Sequence, residues 1–294
     1  MLESTHLQPI RPQRVVIIGA GGFVGGAAQA LFAAEATPVL ALGRSALDLL
    51  TSQAAEQLMA LLKPEDTVLM AAAEAPCKNT AMLVNNIQMM KSLTDAIAMV
   101  QPRHVIYISS DAVYADSAAP LTESSVTAPD SLHGIMHLAR ERMLQDTVRN
   151  VLALLRPTLI YGAADPHNGY GPNRFRRLAA HGEDIVLFGE GEERRDHVLI
   201  DDVAELIRRV AWQGSRGVLN IATGAVASFR EIAEWVTAGS KQPVAIKSRP
   251  RLGAMPHNGY RSFDARATFK AFPDFRYTPL LDGLVQANVM PSKG

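Results

Sequence analysis

The stretch Val15-Val16-Ile17-Ile18-Gly19-Ala20-Gly21-Gly22-Phe23-Val24-Gly25 runs four β-branched residues straight into a cluster of glycines. A proline-free, alanine-rich segment follows from Gly26 to Ala34. The order reads strand, tight turn, helix. Gly19, Gly22 and Gly25 recur at every third position. That spacing suits a tight turn whose backbone must come close to something bulky, with the free N–H groups of a first helical turn aimed at it. A dinucleotide pyrophosphate is the usual occupant. A plain glycine turn without a ligand is the other reading of the same residues.

Working outward, apolar runs alternate with helical patterns. Pro38 to Leu42, Asp66 to Met70, Val105 to Ile108 and Val151 to Leu155 read as strands. Ser52 to Leu62, Thr80 to Val100 and Leu132 to Val148 read as helices, and Pro64 and Pro102 stop the first two. The strands are near-continuous apolar runs with no hairpin signals between them. This predicts a parallel sheet buried on both faces, a doubly wound α/β (Rossmann) domain. After Arg156 the pattern changes. Ala164 to Gly171 reads as an open loop over a site, and Pro172 to His181 as a short basic helix. Ile185 to Phe188, His197 to Ile200 and Val218 to Ile221 read as strands, with a helix over Val203 to Trp212. Ser228 and Glu231 form a capping box opening a helix to Thr237. From Lys241 the chain is Pro-rich and basic with little periodicity. The expected division is a flexible leader over residues 1–13, a dinucleotide-binding domain over 14–165 plus 195–223, and a smaller α/β substrate lobe over 166–194 plus 224–294.

The sequence has 294 residues with 29 basic and 29 acidic side chains, ample for a large core and neutral overall. That balance argues against nucleic-acid or membrane-surface partners. Cys77 is the single cysteine, so no internal disulfide forms and a reducing cytoplasm is the expected compartment. The leader lacks the apolar core of a signal peptide.

In a doubly wound sheet, ligands sit at the carboxyl ends of the strands. Here those ends are Gly19 to Gly25, Gly43-Arg44-Ser45, Ala71-Ala72-Ala73, Ser109-Ser110-Asp111 and Arg156 to Ile160. The small residues Ala71 to Ala73 suit a wall for a flat cofactor, and equally suit tight packing. An acidic residue about 20 positions beyond the first glycine would bind an adenosine ribose. Arg44 and Ser45 stand in that zone instead, and an Arg with a hydroxyl suits a 2′-phosphate, so NADP is favoured over NAD. A solvated surface Arg44 is the alternative.

These motifs together resemble the extended short-chain dehydrogenase/reductases of the NAD-dependent epimerase/dehydratase family, those that modify nucleotide sugars. Gly19 to Gly25 is similar to the family's GxxGFxG, and Val84-Asn85-Asn86-Ile87 to its fourth-helix Asn segment. Ser109 to Tyr114 is similar to SSxxVY, with Ala115 in place of the following Gly, and Arg156-Pro157 with Tyr161-Gly162 to RP…YG. Gly189 to Asp202 resembles GxGxxxRDxVxVxD. The resemblance implies cofactor contacts from Gly19, Gly22, Phe23, Val24, Gly25, Arg44, Ser45, Asp48, Ala71, Ala72, Ala73, Asn86, Ser109, His137, Pro157 and Ile160. Residues 41–49 resemble dTDP-sugar 4-ketoreductases, which places Asp48 near the adenine. It further implies Ser110 as the hydroxyl on the sugar oxygen, and Asp111, Asn173 and Arg195 on the substrate, the last two at its pyrophosphate. The helices Thr80 to Val100 and Leu132 to Val148 resemble the pair through which the family dimerises, so a homodimer is expected.

One departure bears on the chemistry. The family's catalytic YxxxK is replaced by His133-Gly134-Ile135-Met136-His137. A spacing of four puts both rings on one helical face. Three readings stay open: His133 is the acid/base with His137 on the cofactor ribose; the pair only hydrogen-bonds ligand; or the pair binds a metal, for which no third ligand is evident. The first predicts an enzyme with a pH inflection between about 5 and 8. The second predicts a non-catalytic dinucleotide-binding sensor or partner protein. A lyase or isomerase that uses the pair without net cofactor turnover is a further possibility.

Overall fold

Chain order in the computed structural model is β1 (Val15–Ile18), α1 (Phe23–Ala34), β2 (Val39–Leu42), α2 (Ala54–Leu61), β3 (Thr67–Met70), α3 (Thr80–Val100), β4 (His104–Ile108), α4 (Leu132–Thr147) and β5 (Val151–Pro157). It continues with β6 (Leu159–Tyr161), α5 (Pro172–Ala180), β7 (Ile185–Phe188), β8 (Arg194–Leu199), α6 (Ile200–Gln213), β9 (Gly217–Ile221), β10 (Val226–Ser228) and α7 (Phe229–Ala238). The last elements are β11 (Ile246–Arg249), β12 (Tyr260–Arg261), α8 (Arg266–Ala271) and α9 (Leu280–Asn288). The structure describes residues 2–288; Met1 and residues 289–294, the outer ends of the expected leader and small lobe, lie outside the described residues.

Six parallel strands form the main sheet in the order β2-β1-β3-β4-β5-β9. The apolar runs are explained by its two covered faces. Val15 and Ile17 enter the core shared with α1 and α6, while Val16 and Ile18 enter the core shared with α2, α3 and α4. The order reverses between β1 and β3, so Gly19 to Gly25 and Ala71 to Ala73 flank the crevice where such sheets bind ligands. The helix after the glycines starts at Phe23 rather than Gly26, because Gly22 is extended and serves as its N-cap.

A second sheet pairs β8 with β10, β12 and β6, and β7 pairs with β11. These strands and α5, α7 and α9 enclose their own apolar cluster around Phe175, Leu187, Phe229 and Leu284. Strand β8, assigned from sequence to the dinucleotide-binding domain, belongs to this second sheet. Phe272 and Phe275, assigned to the small lobe, pack into the core of the main sheet. The leader is tied down rather than free. Glu3 exchanges backbone hydrogen bonds with Arg216, and Ile10 N–H donates to the Trp212 carbonyl. Among the described residues, no helix is long and apolar enough to cross a membrane.

Candidate nucleotide-binding and active site

The glycines let the turn close tightly against the protein's own backbone. Gly19 sits at φ +92°, and a Cβ there would lie 2.6 Å from the Ala72 backbone nitrogen. A Cβ on Gly25 would lie 2.2 Å from the Gly19 carbonyl oxygen. The first turn of α1 has no acidic residue, which leaves its N–H groups open to an anion. Gly25 lines neither cavity described below; it lets the turn close.

Two adjoining cavities run along the carboxyl edge of the sheet and share Gly22, Ala71 and Ala73 as wall. The first, about 340 Å³, lies between Gly19, Gly43, Arg44, Asp48 and Ala72. Arg44 is largely exposed and pairs with Asp48 at 3.6 Å. Ser45 is exposed and lies outside that wall. The second cavity, about 560 Å³, gathers Phe23, Val24, Ser109, Ser110, Asp111, His133, His137, Pro157, Ile160, Asn173 and Arg195. The expected open loop contributes Asp165, His167, Gly169 and Tyr170 to its rim.

Several expected site residues also serve the fold. Asn86 is fully buried and faces neither cavity. Its Oδ1 accepts the Glu74 N–H at 3.0 Å and its Nδ2 donates to the Glu74 carbonyl at 3.0 Å, so it pins the loop after β3. Ser109 donates to Glu141 at 2.6 Å. Asp111 is held by Arg261 at 3.0 Å. Asn173 Oδ1 accepts the Gly162 N–H at 3.0 Å. Arg195 reaches Glu193 at 3.3 Å, and its Nε has no partner among the described residues. Ser110 Oγ accepts the Ala112 N–H at 3.1 Å.

The histidine rings stand edge to face, 4.7 Å between centroids. His133 Nδ1 accepts the Cys77 N–H at 3.3 Å, and His137 Nδ1 lies 2.7 Å from the Tyr107 hydroxyl. Burial holds the His133 pKa below the ordinary imidazole value, with the Asp111 charge acting the other way. Burial, then His133 and Arg140, hold His137 well below it. The titration expected of this pair between pH 5 and 8 is therefore displaced downward. Among the described residues, no three His, Cys, Asp or Glu side chains group as a metal site.

Three features escape the sequence reading. Tyr107, within the stretch read as the strand Val105 to Ile108, is the partner of His137. Arg140, one helical turn beyond His137, is fully buried under the Tyr107 ring. His197 has both ring nitrogens unpartnered in the wall of the second cavity, the one described side chain with two such atoms. The i,i+3 spacing of His137 and Arg140 was the available signal for the second of these.

A doubly wound sheet with a glycine turn at its switch point, opening onto a double cavity, defines a dinucleotide-binding protein of the Rossmann class. The NAD dependent epimerase/dehydratase family matches residues 15–222, and the chain belongs to that family. Among solved structures it is similar to UDP-glucose 4-epimerase of Thermus thermophilus, in complex with NAD, at 19% identity with a TM-score of 0.82 over 94% of this chain and 97% of that one. It is also similar to MoeE5, solved with NAD and either UDP-glucose or UDP-glucuronic acid. In the UDP-glucose complex the identity is 22% and the TM-score 0.78, over 94% of this chain and 97% of that one. A GDP-L-fucose synthetase of Naegleria fowleri bound to NADP matches at 16% identity and a TM-score of 0.81, over 97% of this chain and 95% of that one. At these identities the likeness is one of fold.

Proposed function

We propose that the protein is an NAD(P)-dependent enzyme that epimerises, dehydrates or reduces a nucleotide-activated sugar. The observation that carries this reading is the pair of cavities with a common wall. The first takes the adenosine end of the cofactor. The second takes the nicotinamide and the sugar, and brings Ser110, His133 and His137 to one surface. The close glycine packing and the uncapped start of α1 fit a pyrophosphate. When bound, the cofactor supplies reversible hydride exchange with a sugar carbon. Ser110 and His133 hold the oxygen on that carbon, and Arg195, with its free Nε, holds a phosphate of the sugar nucleotide. The outer faces of α3 and α4, with Val84 and Ile135 exposed, are the surface for a homodimer.

A second reading, binding without turnover, draws on the Cys77 bond that occupies one nitrogen of His133. Titrating UDP-, dTDP- and GDP-sugars into the cofactor-loaded protein separates the two. Under the first reading at least one sugar changes the absorbance of the reduced nicotinamide, and His133→Phe lowers that rate about 100-fold. Binding of both ligands with no hydride exchange favours the second reading. No binding of either ligand rejects both.

NADP as the preferred cofactor belongs to the same proposal. Among the described residues, Arg44 is the one cation in the wall of the first cavity. Arg44→Ala is expected to weaken NADP binding about tenfold, a charge-assisted hydrogen bond, and to leave NAD unchanged. An equal effect on both cofactors removes the preference.

A further inference from the structure

One nitrogen of each active-site histidine is already assigned. The Cys77 N–H donates to His133 Nδ1. A ring nitrogen that accepts an N–H bears no proton, so the neutral His133 carries its proton on Nε2. Adding a second proton at Nδ1 would set two N–H donors against each other.

The His137 tautomer follows from Tyr107. That hydroxyl is buried, and His137 Nδ1 is its only acceptor among the described residues. If Nδ1 donated instead, the phenol proton would be buried without a partner, a rare and costly arrangement. The hydroxyl therefore donates to Nδ1, and His137 too keeps its proton on Nε2. Burial also pushes the Tyr107 pKa upward, so its proton stays in place.

Behind Tyr107 lies a cation with no counter-ion among the described residues. Arg140 donates to the Ala72 carbonyl at 2.8 Å and approaches Asn86 Oδ1 at 3.5 Å, its Nε has no hydrogen-bond partner among the described residues, and the Tyr107 hydroxyl is the group that supports its charge. A buried guanidinium left this way favours negative charge nearby. The one acidic group acting on His133 is Asp111, whose carboxylate Arg261 already neutralises.

We propose that His133 and His137 are paired, fixed Nε2–H donors for a sugar oxygen that carries no proton of its own, a carbonyl or a carboxylate oxygen, with Tyr107 and Arg140 as the positioning residues. The inference rests on the nucleotide-sugar reading above for its ligand, and on the chain alone for its tautomers. A hydroxyl must donate as well as accept, and these two rings offer it no acceptor. A carbonyl or carboxylate oxygen only accepts.

The test has two arms on the full chain loaded with NAD. Nitrogen-15 NMR of the histidine rings at pH 7 is expected to show His133 and His137 neutral and protonated at Nε2. Tyr107→Phe is expected to release the His137 tautomer while leaving that of His133 in place. Calorimetric titration is expected to show UDP-glucuronic acid or a UDP-4-keto-sugar binding at least tenfold tighter than UDP-glucose; which of the two gains tells carboxylate from carbonyl. His133→Phe is expected to remove the preference. Either ring protonated at Nδ1, or UDP-glucose binding as tightly as both others, overturns the proposal. If none of the three binds while both rings show Nε2–H, the nucleotide-sugar reading fails and the donor pair stands.

Discussion

Glu141→Ala is expected to lower folding stability by about 3–5 kcal/mol. Glu141 on α4 and Arg156 on β5 form a bidentate pair, Nε to Oε1 at 2.8 Å and Nη2 to Oε2 at 2.6 Å, with both side chains almost wholly buried. Burial works against the Arg156 charge, yet its bonds to Glu141 and Tyr114 outweigh that and raise its pKa. Removing the carboxylate leaves the guanidinium in the core with only Tyr114, whose hydroxyl it reaches at 2.8 Å and whose ring it overlies at 4.8 Å. Ser109 loses its acceptor in the same step. The cost is that of an uncompensated buried charge, larger than the net worth of the pair. The double variant Glu141→Ala with Arg156→Met is accordingly expected to be more stable than Glu141→Ala alone. Urea unfolding of the three proteins measures both effects. A single-variant loss below about 1 kcal/mol would show that water reaches the site.

The second large effect is acid sensitivity. Burial lowers His104 to about 4 and His197 to about 3, and holds His137 well below the ordinary value. Each of these rings is neutral in the folded protein and protonates more readily when unfolded. Stability is therefore complete above the unfolded pKa, near 6.5, and is lost as pH falls below it, at about 1.4 kcal/mol per pH unit for each ring. His104 and His197 together remove about 3 kcal/mol between pH 7.5 and 5.5, and His137 adds to the loss with the same sign. His133 adds to the loss with the same sign. Asp196 opposes it. Burial raises its pKa to about 6 against the hydrogen bonds from Thr223 and Gly224, so protonation in this window relieves it and returns about 1 kcal/mol. The expected net loss from His104, His197 and Asp196 is about 2 kcal/mol, some 4–8 °C in Tm for a chain of this size, and the other two rings deepen it. Equal thermal midpoints at the two pH values would mean that these rings are hydrated in the folded protein.

Much of the fold was legible in the sequence because its signals are local. The run Val15 to Ile18 and the turn from Gly19 to Gly25 name a strand and a helix start by themselves. The long helix reads from Thr80 to Val100 with both ends in place, since Asn79 caps one end and Gln101 and Pro102 close the other. Beyond Lys241 the signals are tertiary. Strand β11 exists because Ile246 to Arg249 pair with β7 some 60 residues earlier, and β12 is two residues held by β8. Neither has a period to detect. The site divides the same way. The strand ends could be listed from sequence, but not the direction in which Asn86 faces. Nor could the sequence show that Tyr107 reaches across to His137, or that Arg140 is buried without an ion-pair partner among the described residues. Those depend on how α3 and α4 lie on the sheet.

The segment after Arg261 crosses back from the second sheet to the first. Phe263 bridges to Leu121, Thr268 Oγ donates to the Asn220 carbonyl, Phe272 and Phe275 fill the main core, and the Thr278 N–H donates to Asp202. The chain thus laces its two lobes together after each is built. Neither lobe can open without stripping this lacing, so the molecule is expected to melt as one cooperative unit, with fluorescence and circular dichroism changing together.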